Sequence, residues 1–438
     1  MTRPAVLYMT YDGLLEPLGE SQVVAYVRRL ARRQSMTVLS FEKPEDLRDR
    51  PRVARTRRRL IADGVNWIPL RYHKRPTLPA TAWDIARGVQ VAHALHARRP
   101  IAIAHARGYV ASMIALGLAR RRTIRFLFDM RGFWPEEKVE AGHWTRTSLA
   151  YRLAKRAEQR FFRRADAIVS LTHAGAQRIR EMTEHGGLER PIAVIPTCAD
   201  LERFSPRAPD PSLVAELRLE GRLIIGCVGT LSNWYLRTET LRYLALITKR
   251  HVNSAVLFIT REDHDALRRD AIAAGITRER VRIVRADFTD MPNYLRLLRA
   301  GVFFIAPSPA KLGSAATKLG ELLGCGVPVV INDGVGDSGS QVRRWDAGVV
   351  LRDASDAAMR ASLPAVDALL ADAEAPARCR RAAEALFDVE QGAAAYQRLY
   401  DQLTGGADPE TMVDDTRPAR DDDARAESIG QSVGSADA

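Results

Sequence analysis

FFIAPSPAKLGSAATKLGELLGCGVPVVINDG, residues 303–334, reads as strand, loop, helix, strand. The apolar run Val302 to Ala306 breaks at Pro307 and Pro309, and a small-residue loop follows. A helix is expected from Thr317 to Leu323, closed by Gly324 to Gly326, and Pro328 opens a second buried run, Val329 to Ile331. At about 30 residues this is the size of a βαβ crossover. In such units ligands sit beyond the carboxyl ends of the strands, where the loop enters the helix. Thr317 stands at that mouth, with Lys318 and Glu321 in the first turns. Free helix N–H groups and a nearby ammonium suit a phosphate. A carboxylate three residues after the lysine lies along the same face and accepts hydrogen bonds from sugar hydroxyls.

Ser314, Thr317, Lys318, Glu321, Gly326, Pro328 and Val329 together resemble the donor-binding signature of retaining GT-B glycosyltransferases of the GT4 class. Ala316 stands where a proline is usual, and Gly313 stands where the class has the first glutamate of its E-x7-E pair. The resemblance implies an α/β protein of two doubly wound, parallel-sheet (Rossmann-like) domains facing a cleft. It also implies a nucleotide-sugar donor, retention of configuration and no metal; the absence of a D-x-D motif from the catalytic stretches agrees with the last. Lys318 would neutralise phosphate charge and Glu321 would hold the ribose hydroxyls, with Thr317, Ser314 and Lys311 beside them.

A chain of 438 residues holds two sizeable cores. Its 46% hydrophobic and 27% charged residues are those of a globular protein. No apolar run is long enough to span a bilayer. Met1 to Met9 reads as a first strand rather than a signal peptide. Cys198, Cys227, Cys325 and Cys379 match no metal or redox spacing and read as buried thiols in a reducing cytoplasm. The net charge is +13, but from Gly405 the tail holds nine acids and three arginines, so the remainder carries +19. Much of the excess lies in Arg28–Arg33, Arg48–Arg59 and Arg71–Arg75. Such a face attracts nucleic acid or anionic lipid, or is simply solvated. No aromatic-interleaved basic stretch supports nucleic acid, and docking at an anionic membrane is the better use if the acceptor is lipid-linked. Seven lysines in an arginine-rich chain, two of them Lys311 and Lys318, point to positions that want a compact ammonium.

Taken in order, strand Ala5 to Met9 leads through a loop to a helix from about Gln22 to Arg33. No G-x-G-x-x-G follows the strand, which argues against a dinucleotide oxidoreductase. The loop resembles the GT4 pattern in which a glycine lets the backbone approach the donor phosphates, and Gly19 and Ser21 are the residues carried over; Ser21 also reads as an N-cap. Strand Ile101 to Ala104 ends at His105-Ala106-Arg107, and strand Arg125 to Phe128 ends at Asp129-Met130-Arg131, with Glu136 and Glu137 close by. Parallel strands place both clusters on one sheet edge. The second resembles the GT4 cleft motif D-x-R-G-x-W-P-E, so Asp129 and Arg131 are expected in the cleft, or as a structural pair capping the strand. His105 reads either as a general base for an acceptor hydroxyl or as a structural strand-end histidine.

Pro196 to Phe204 resembles the class's domain junction. The first domain is thus expected over residues 1–203 and the nucleotide-sugar domain over 204–387. A helix over 388–403 returns to the first domain, and an acidic tail over 404–438 is expected to be disordered. Strand Leu223 to Val228 runs into Gly229 and Thr230, a glycine turn suited to phosphate contact, with Arg237 the nearest cation. The expected activity is transfer of a sugar to a glycan, lipid-linked or small-molecule acceptor. A sugar-nucleotide epimerase of the same fold and a non-catalytic GT-B-like binding protein are the rivals.

Overall fold

The computed structural model describes residues 3–119, 123–184 and 191–405; the acidic tail expected beyond Thr404 lies almost wholly outside the described residues. The chain alternates strand and helix and builds two all-parallel sheets. The first holds β1 (Ala5–Thr10), β2 (Ser35–Glu42), β3 (Val65–Arg71), β4 (Ile103–Arg107), β5 (Arg125–Asp129), β6 (Ala167–Ser170) and β7 (Ile192–Val194). Their order is β3-β2-β1-β4-β5-β6-β7. The second holds β8 (Leu223–Val228), β9 (Ser254–Ile259), β10 (Val281–Val284), β11 (Ala300–Val302), β12 (Val329–Asn332) and β13 (Gly348–Leu351), in the order β10-β9-β8-β11-β12-β13. The order reverses between β1 and β4 and between β8 and β11. Ligands of doubly wound sheets bind at such switch points, so the loops after these four strands define where chemistry belongs.

The strands are buried on both faces, as parallel sheets require, and apolar clusters line both sides of each sheet. All four cysteines are buried and free. The helix Val389–Thr404, capped by Asp388, buries Val389, Ala393, Tyr396, Tyr400 and Leu403 against Tyr8, Tyr26 and Val27 of the first domain. Fully buried apolar side chains of this size contribute roughly 1.5–3 kcal/mol each, so this helix fastens the end of the chain to the first sheet. Among the described residues no helix is long and apolar enough to cross a membrane.

Three local expectations are corrected. The strand leading to the central loop is Ala300–Val302 rather than Val302 to Ala306. Beyond it the Asn332 side chain bonds both the N–H and the carbonyl of Ile305, each at 2.8 Å, and replaces the ladder. The strand before His105 runs through it to Arg107, because His105 pairs in register with Tyr8 and Leu127. The first helical stretch begins at Pro17 rather than Gln22, with a π-helical turn over Glu20–Val24 before Ala25–Leu30; proline is well placed in a first helical turn. Glu42, fully buried, holds the preceding loop by accepting the N–H groups of Leu14 and Leu15 at 2.8 and 3.2 Å.

Candidate active site

Lys318 enters the site from the first turn of the helix Thr317–Gly324. Its side chain is buried, and its amine donates to the Val228 carbonyl at the end of β8. The Tyr235 ring lies 3.9 Å from it and the Phe303 ring 5.2 Å. No carboxylate among the described residues comes within ion-pair distance of this ammonium. A buried cation without an anion is costly, and the arrangement leaves it aimed at the loops after β8 and β11. Gly229 has φ +84, and a Cβ there would sit 3.4 Å from the lysine amine, so glycine meets both the backbone and the space.

The turn after β8 is already occupied. Glu262 accepts the N–H groups of Leu231 and Ser232, both at 3.0 Å, and the hydroxyls of Thr230 and Ser232. Arg237 binds the same carboxylate at 2.8 Å and Asp270 at 2.7 Å. The Gly229 N–H goes to the Ile259 carbonyl at 2.8 Å. The Gly229 N–H, the Thr230 hydroxyl and the Arg237 guanidinium, expected at the donor phosphates, are thus engaged within the protein. Glu262 was missed because no local motif marks it. The usable signal is register, since β8 and β9 end together at Val228 and Ile259, which sets the loop after β9 beside the glycine turn.

Glu321 receives no hydrogen bond from a side chain of the described residues, and it lines a small cavity of about 40 Å³ with Ser21, Arg203 and Phe288. Burial pushes its carboxyl up to about 7, against the pull of Lys318 and Arg203. The structure thus brings Ser21 of the first domain to the carboxylate of the second. A raised carboxyl favours the protonated folded state, so its ionisation costs stability as pH rises from the ordinary carboxylate range to about 7. Above that the full cost, roughly 1–3 kcal/mol, is present. Glu321→Gln is therefore expected to stabilise the ligand-free protein at pH about 8 and to change little at pH about 5. Melting curves of both proteins at the two pH values measure this.

Gly19, expected near the donor phosphates, is in the short helix Pro17–Gly19. It lies inside the helical stretch, where a Cβ would collide with the Gly13 carbonyl; its role is close packing. Ser21 donates to the Leu18 carbonyl.

Lys311 bridges the domains: its amine lies 3.0 Å from Glu137 and 3.8 Å from the centre of the Trp234 ring. Ser314 reaches the same carboxylate at 3.4 Å. Asp337, in the glycine-serine loop after β12, accepts the N–H groups of His173 and Ala174 at 2.6 and 3.1 Å. Gly313 is pressed into this contact, and a Cβ there would stand 3.0 Å from the Phe133 ring. Gly313→Glu is expected to cost about 1–3 kcal/mol by overpacking, seen as a lower urea midpoint. An unchanged midpoint would show that the domain contact yields.

The cleft of the first domain has a volume of about 1170 Å³ and reaches Ala315 and Thr317 of the second domain. Arg107, Gln22, Arg131 and Thr197 are on its wall. Arg131 Nε and Nη2, Arg107 Nε, Gln22 Oε1 and Thr197 Oγ1 are buried without hydrogen-bond partners, so polar groups point at a ligand position. Thr197 and Gln22 were not singled out as site residues from sequence. Asp129 lies behind the wall. It is fully buried and holds Arg131 at 3.3 Å and His105 at 3.3 Å. Burial alone would raise its carboxyl, but Arg131 and His105 hold it well below the ordinary range.

The general-base reading of His105 is corrected. The ring is fully buried, contacts Tyr400 at 2.6 Å as well as Asp129, and does not line the cleft. Burial also lowers its pKa, so it acts as a neutral hydrogen-bond bridge between Asp129 and the returning helix.

Residues 19–203 match the model of Glycosyltransferase Family 4. A search of curated proteins gave no match. Among solved structures, the chain is similar to sucrose-phosphate synthase from Thermosynechococcus elongatus, at TM-score 0.68 and 16% identity over 92% of this chain and 100% of that one. It is also similar to HepE from Anabaena in complex with UDP and glucose, at TM-score 0.64 and 15% identity, covering 90% and 99%. A third is a protein from Listeria monocytogenes assigned as a UDP-N-acetylglucosamine 2-epimerase, at TM-score 0.59 and 14% identity, covering 93% and 98%. At these identities the structures establish the two-domain GT-B fold. The first domain thus matches the Family 4 glycosyltransferase model over residues 19–203, and the architecture across both sheets is that of the GT-B fold.

Proposed function

We propose that the protein moves a sugar from a nucleoside-diphosphate sugar, held on the second domain, to an acceptor hydroxyl in the cleft of the first, with retention and in glycan or glycoconjugate synthesis. The observation that carries this reading is the buried, carboxylate-free ammonium of Lys318 at the mouth of the helix Thr317–Gly324. The UDP and glucose in the HepE complex support a donor of this class.

In this account the bond from sugar C1 to the diphosphate oxygen breaks, its electron pair stays on the diphosphate, the acceptor oxygen bonds C1, and the acceptor hydroxyl's proton passes to the departing diphosphate oxygen. Lys318 and the helix N-terminus stabilise the charge that develops on the leaving group. Glu321 accepts the ribose hydroxyls, and Arg131, aligned by Asp129, orients the sugar or acceptor. Lys311 and Ser314 hold Glu137 at the seam between the domains. Catalysis is positioning and electrostatics, with Lys318 as the cation and no metal in the scheme. The reaction is placed in the cytoplasm, with the basic first domain towards an anionic membrane and no nucleic-acid partner.

A panel of nucleotide sugars tests the assignment: release of nucleoside diphosphate should accelerate on adding acceptor. The Listeria neighbour keeps an epimerase as the second reading. Conversion of the donor to its epimer with no acceptor present would favour it.

If ribose hydroxyls donate to the ionised Glu321, nucleotide affinity should fall as pH drops below about 7, because the binding form is then lost. Titration calorimetry between pH about 5.5 and 8.5 reads this, and an affinity independent of pH would contradict the Glu321 role.

A further inference from the structure

We infer that Glu137 of the first domain is the carboxylate that recognises the transferred sugar, one of its oxygens accepting hydroxyls of a neutral hexose while the second domain holds the nucleotide. The inference rests on the transferase reading above and adds a substrate contact to it.

The helix Trp134–Glu140 carries three glutamates, and each goes a different way. Glu136 turns into the first domain, to Lys155 at 2.9 Å and Tyr151 at 3.3 Å. Glu140 crosses the seam and accepts the Ser308 hydroxyl at 2.7 Å, outside the cleft lining. Glu137 also crosses, but it lines the cleft.

Its ion pair is one-sided. Glu137 Oε1 takes the Lys311 amine at 3.0 Å and the Ser314 hydroxyl at 3.4 Å. That ammonium is buried, 3.8 Å from the centre of the Trp234 ring, and is not on the cleft wall. The cleft therefore meets only the anionic half of the pair. Glu137 Oε2 receives no hydrogen bond among the described residues. An ionised carboxylate only accepts, with about four lone-pair sites, so this oxygen calls for donors. Sugar hydroxyls supply them, whereas a phosphate brings acceptors and like charge.

Position points the same way. Ser314, bonded to the carboxylate, stands three residues before Thr317, so at most about 10 Å of chain separate it from the helix mouth. A sugar on a phosphate held at that mouth reaches the carboxylate while the phosphate stays with Lys318. Gly132 keeps the approach open, since its φ is +134 and a Cβ there would stand 3.2 Å from Glu137 Oε1. Arg131, with two buried N–H groups unpartnered, is on the same wall. Donors and acceptors for a hydroxylated ring thus converge between the domains.

The seam has other fasteners: Asp337 on His173 and Ala174, Glu140 on Ser308, and Thr172 on the Leu312 carbonyl. None of these groups lines the cleft. Glu137 is the carboxylate that both crosses the seam and faces the ligand space.

Titration calorimetry of the full chain with UDP, GDP, dTDP and ADP, each free and as its glucose conjugate, tests the contact. The readout is the ratio of the two affinities for the base that binds. Glu137→Gln is expected to weaken the glucose conjugate about tenfold, as a hydrogen bond to a charged acceptor is lost, and the free diphosphate by less than about threefold. Asp337→Ala, which loosens the seam away from the cleft, should weaken both forms equally. Glu137→Gln strands the buried Lys311 ammonium, so the double variant with Lys311→Met, which removes both charges, is measured beside it and should show the same ratio. Conjugates of 3-, 4- and 6-deoxyglucose locate the hydroxyl. One of them should bind the wild type about tenfold more weakly than the glucose conjugate does, and should bind Glu137→Gln as well as the glucose conjugate does.

Equal weakening of free diphosphate and conjugate in both Glu137 variants would make the glutamate a seam residue and overturn the inference. A deoxy series that wild type and variant read alike would do the same. An unaltered ratio with nucleotide still bound would overturn the sugar contact alone, and binding of no nucleotide would overturn the transferase reading beneath it.

Discussion

Lys318→Ala is expected to lower kcat by about 2–4 kcal/mol of transition-state stabilisation, roughly 30- to 1000-fold, by analogy with a lost oxyanion donor. The lysine amine is fixed by the Val228 carbonyl and the Tyr235 ring before any ligand arrives, so its charge needs no reorganisation when the diphosphate departs. Loss of the side chain leaves that carbonyl without a donor, at a cost near 1 kcal/mol, while removal of an unpaired buried ammonium offsets part of it. Stability should therefore change far less than turnover. Lys318→Met keeps the packing and should be as inactive as the alanine variant. Lys318→Arg should not rescue, because a planar guanidinium does not fit the space of a compact ammonium beside Gly229. Single-turnover rates with donor and acceptor, alongside melting curves, separate the two effects. Normal turnover of Lys318→Ala would remove the lysine from the chemistry.

Asp129→Asn carries the largest expected stability loss, about 3–5 kcal/mol, because it strands the Arg131 guanidinium in a buried site with two N–H groups already unpartnered. The pair lies at the end of β5 and the ring of His105 ties it to Tyr400 on the returning helix, so the loss should also loosen the end of the chain. The sign with pH follows from a carboxyl held below its ordinary value of 3.8. Its contribution is present above that value and is lost as acid protonates the folded state. The gap between wild type and variant in urea melts should thus be widest near neutral pH and narrow in acid. Adding Arg131→Met to Asp129→Asn should recover part of the stability and none of the activity. A single variant as stable as the wild type would show that the pair is not structural.

The parts of the site that sequence made legible are those written locally. Thr317 and Lys318 stand four and three residues before Glu321 on one short helix, and period alone sets each of them one turn from its carboxylate. The alternation of apolar runs with helical stretches likewise carries both parallel sheets. What stayed hidden depends on partners far along the chain. Nothing near His105 announces Tyr400, and nothing near Lys311 announces Glu137, 174 residues away. Thr230 and Arg237 look like free phosphate donors until Glu262 arrives from the loop after the next strand. Asn332 ends a strand it does not belong to by bonding Ile305 across 27 residues. Each case is a side chain satisfying backbone or charge at long range, which burial demands and local pattern does not encode.

Gly313 shows the same limit from the other side. In sequence it is a missing carboxylate; in the structure it is the point where the second domain meets Phe133 and Gly132 of the first. The neighbouring carboxylate is Glu137, supplied across the seam and bound by Lys311 and Ser314.

The measurement that bears most directly on the central claim is a thermal-shift panel of UDP, GDP, dTDP, ADP and CMP on wild type and Glu321→Ala. A nucleotide at about 100 times its dissociation constant adds about 2.7 kcal/mol of stability. One nucleoside diphosphate should stabilise the wild type by that order and lose most of its effect in the variant, which would place the donor at the helix Thr317–Gly324 and identify its base. Stabilisation by no nucleotide, or an equal shift in both proteins, would contradict a donor site built on Lys318 and Glu321.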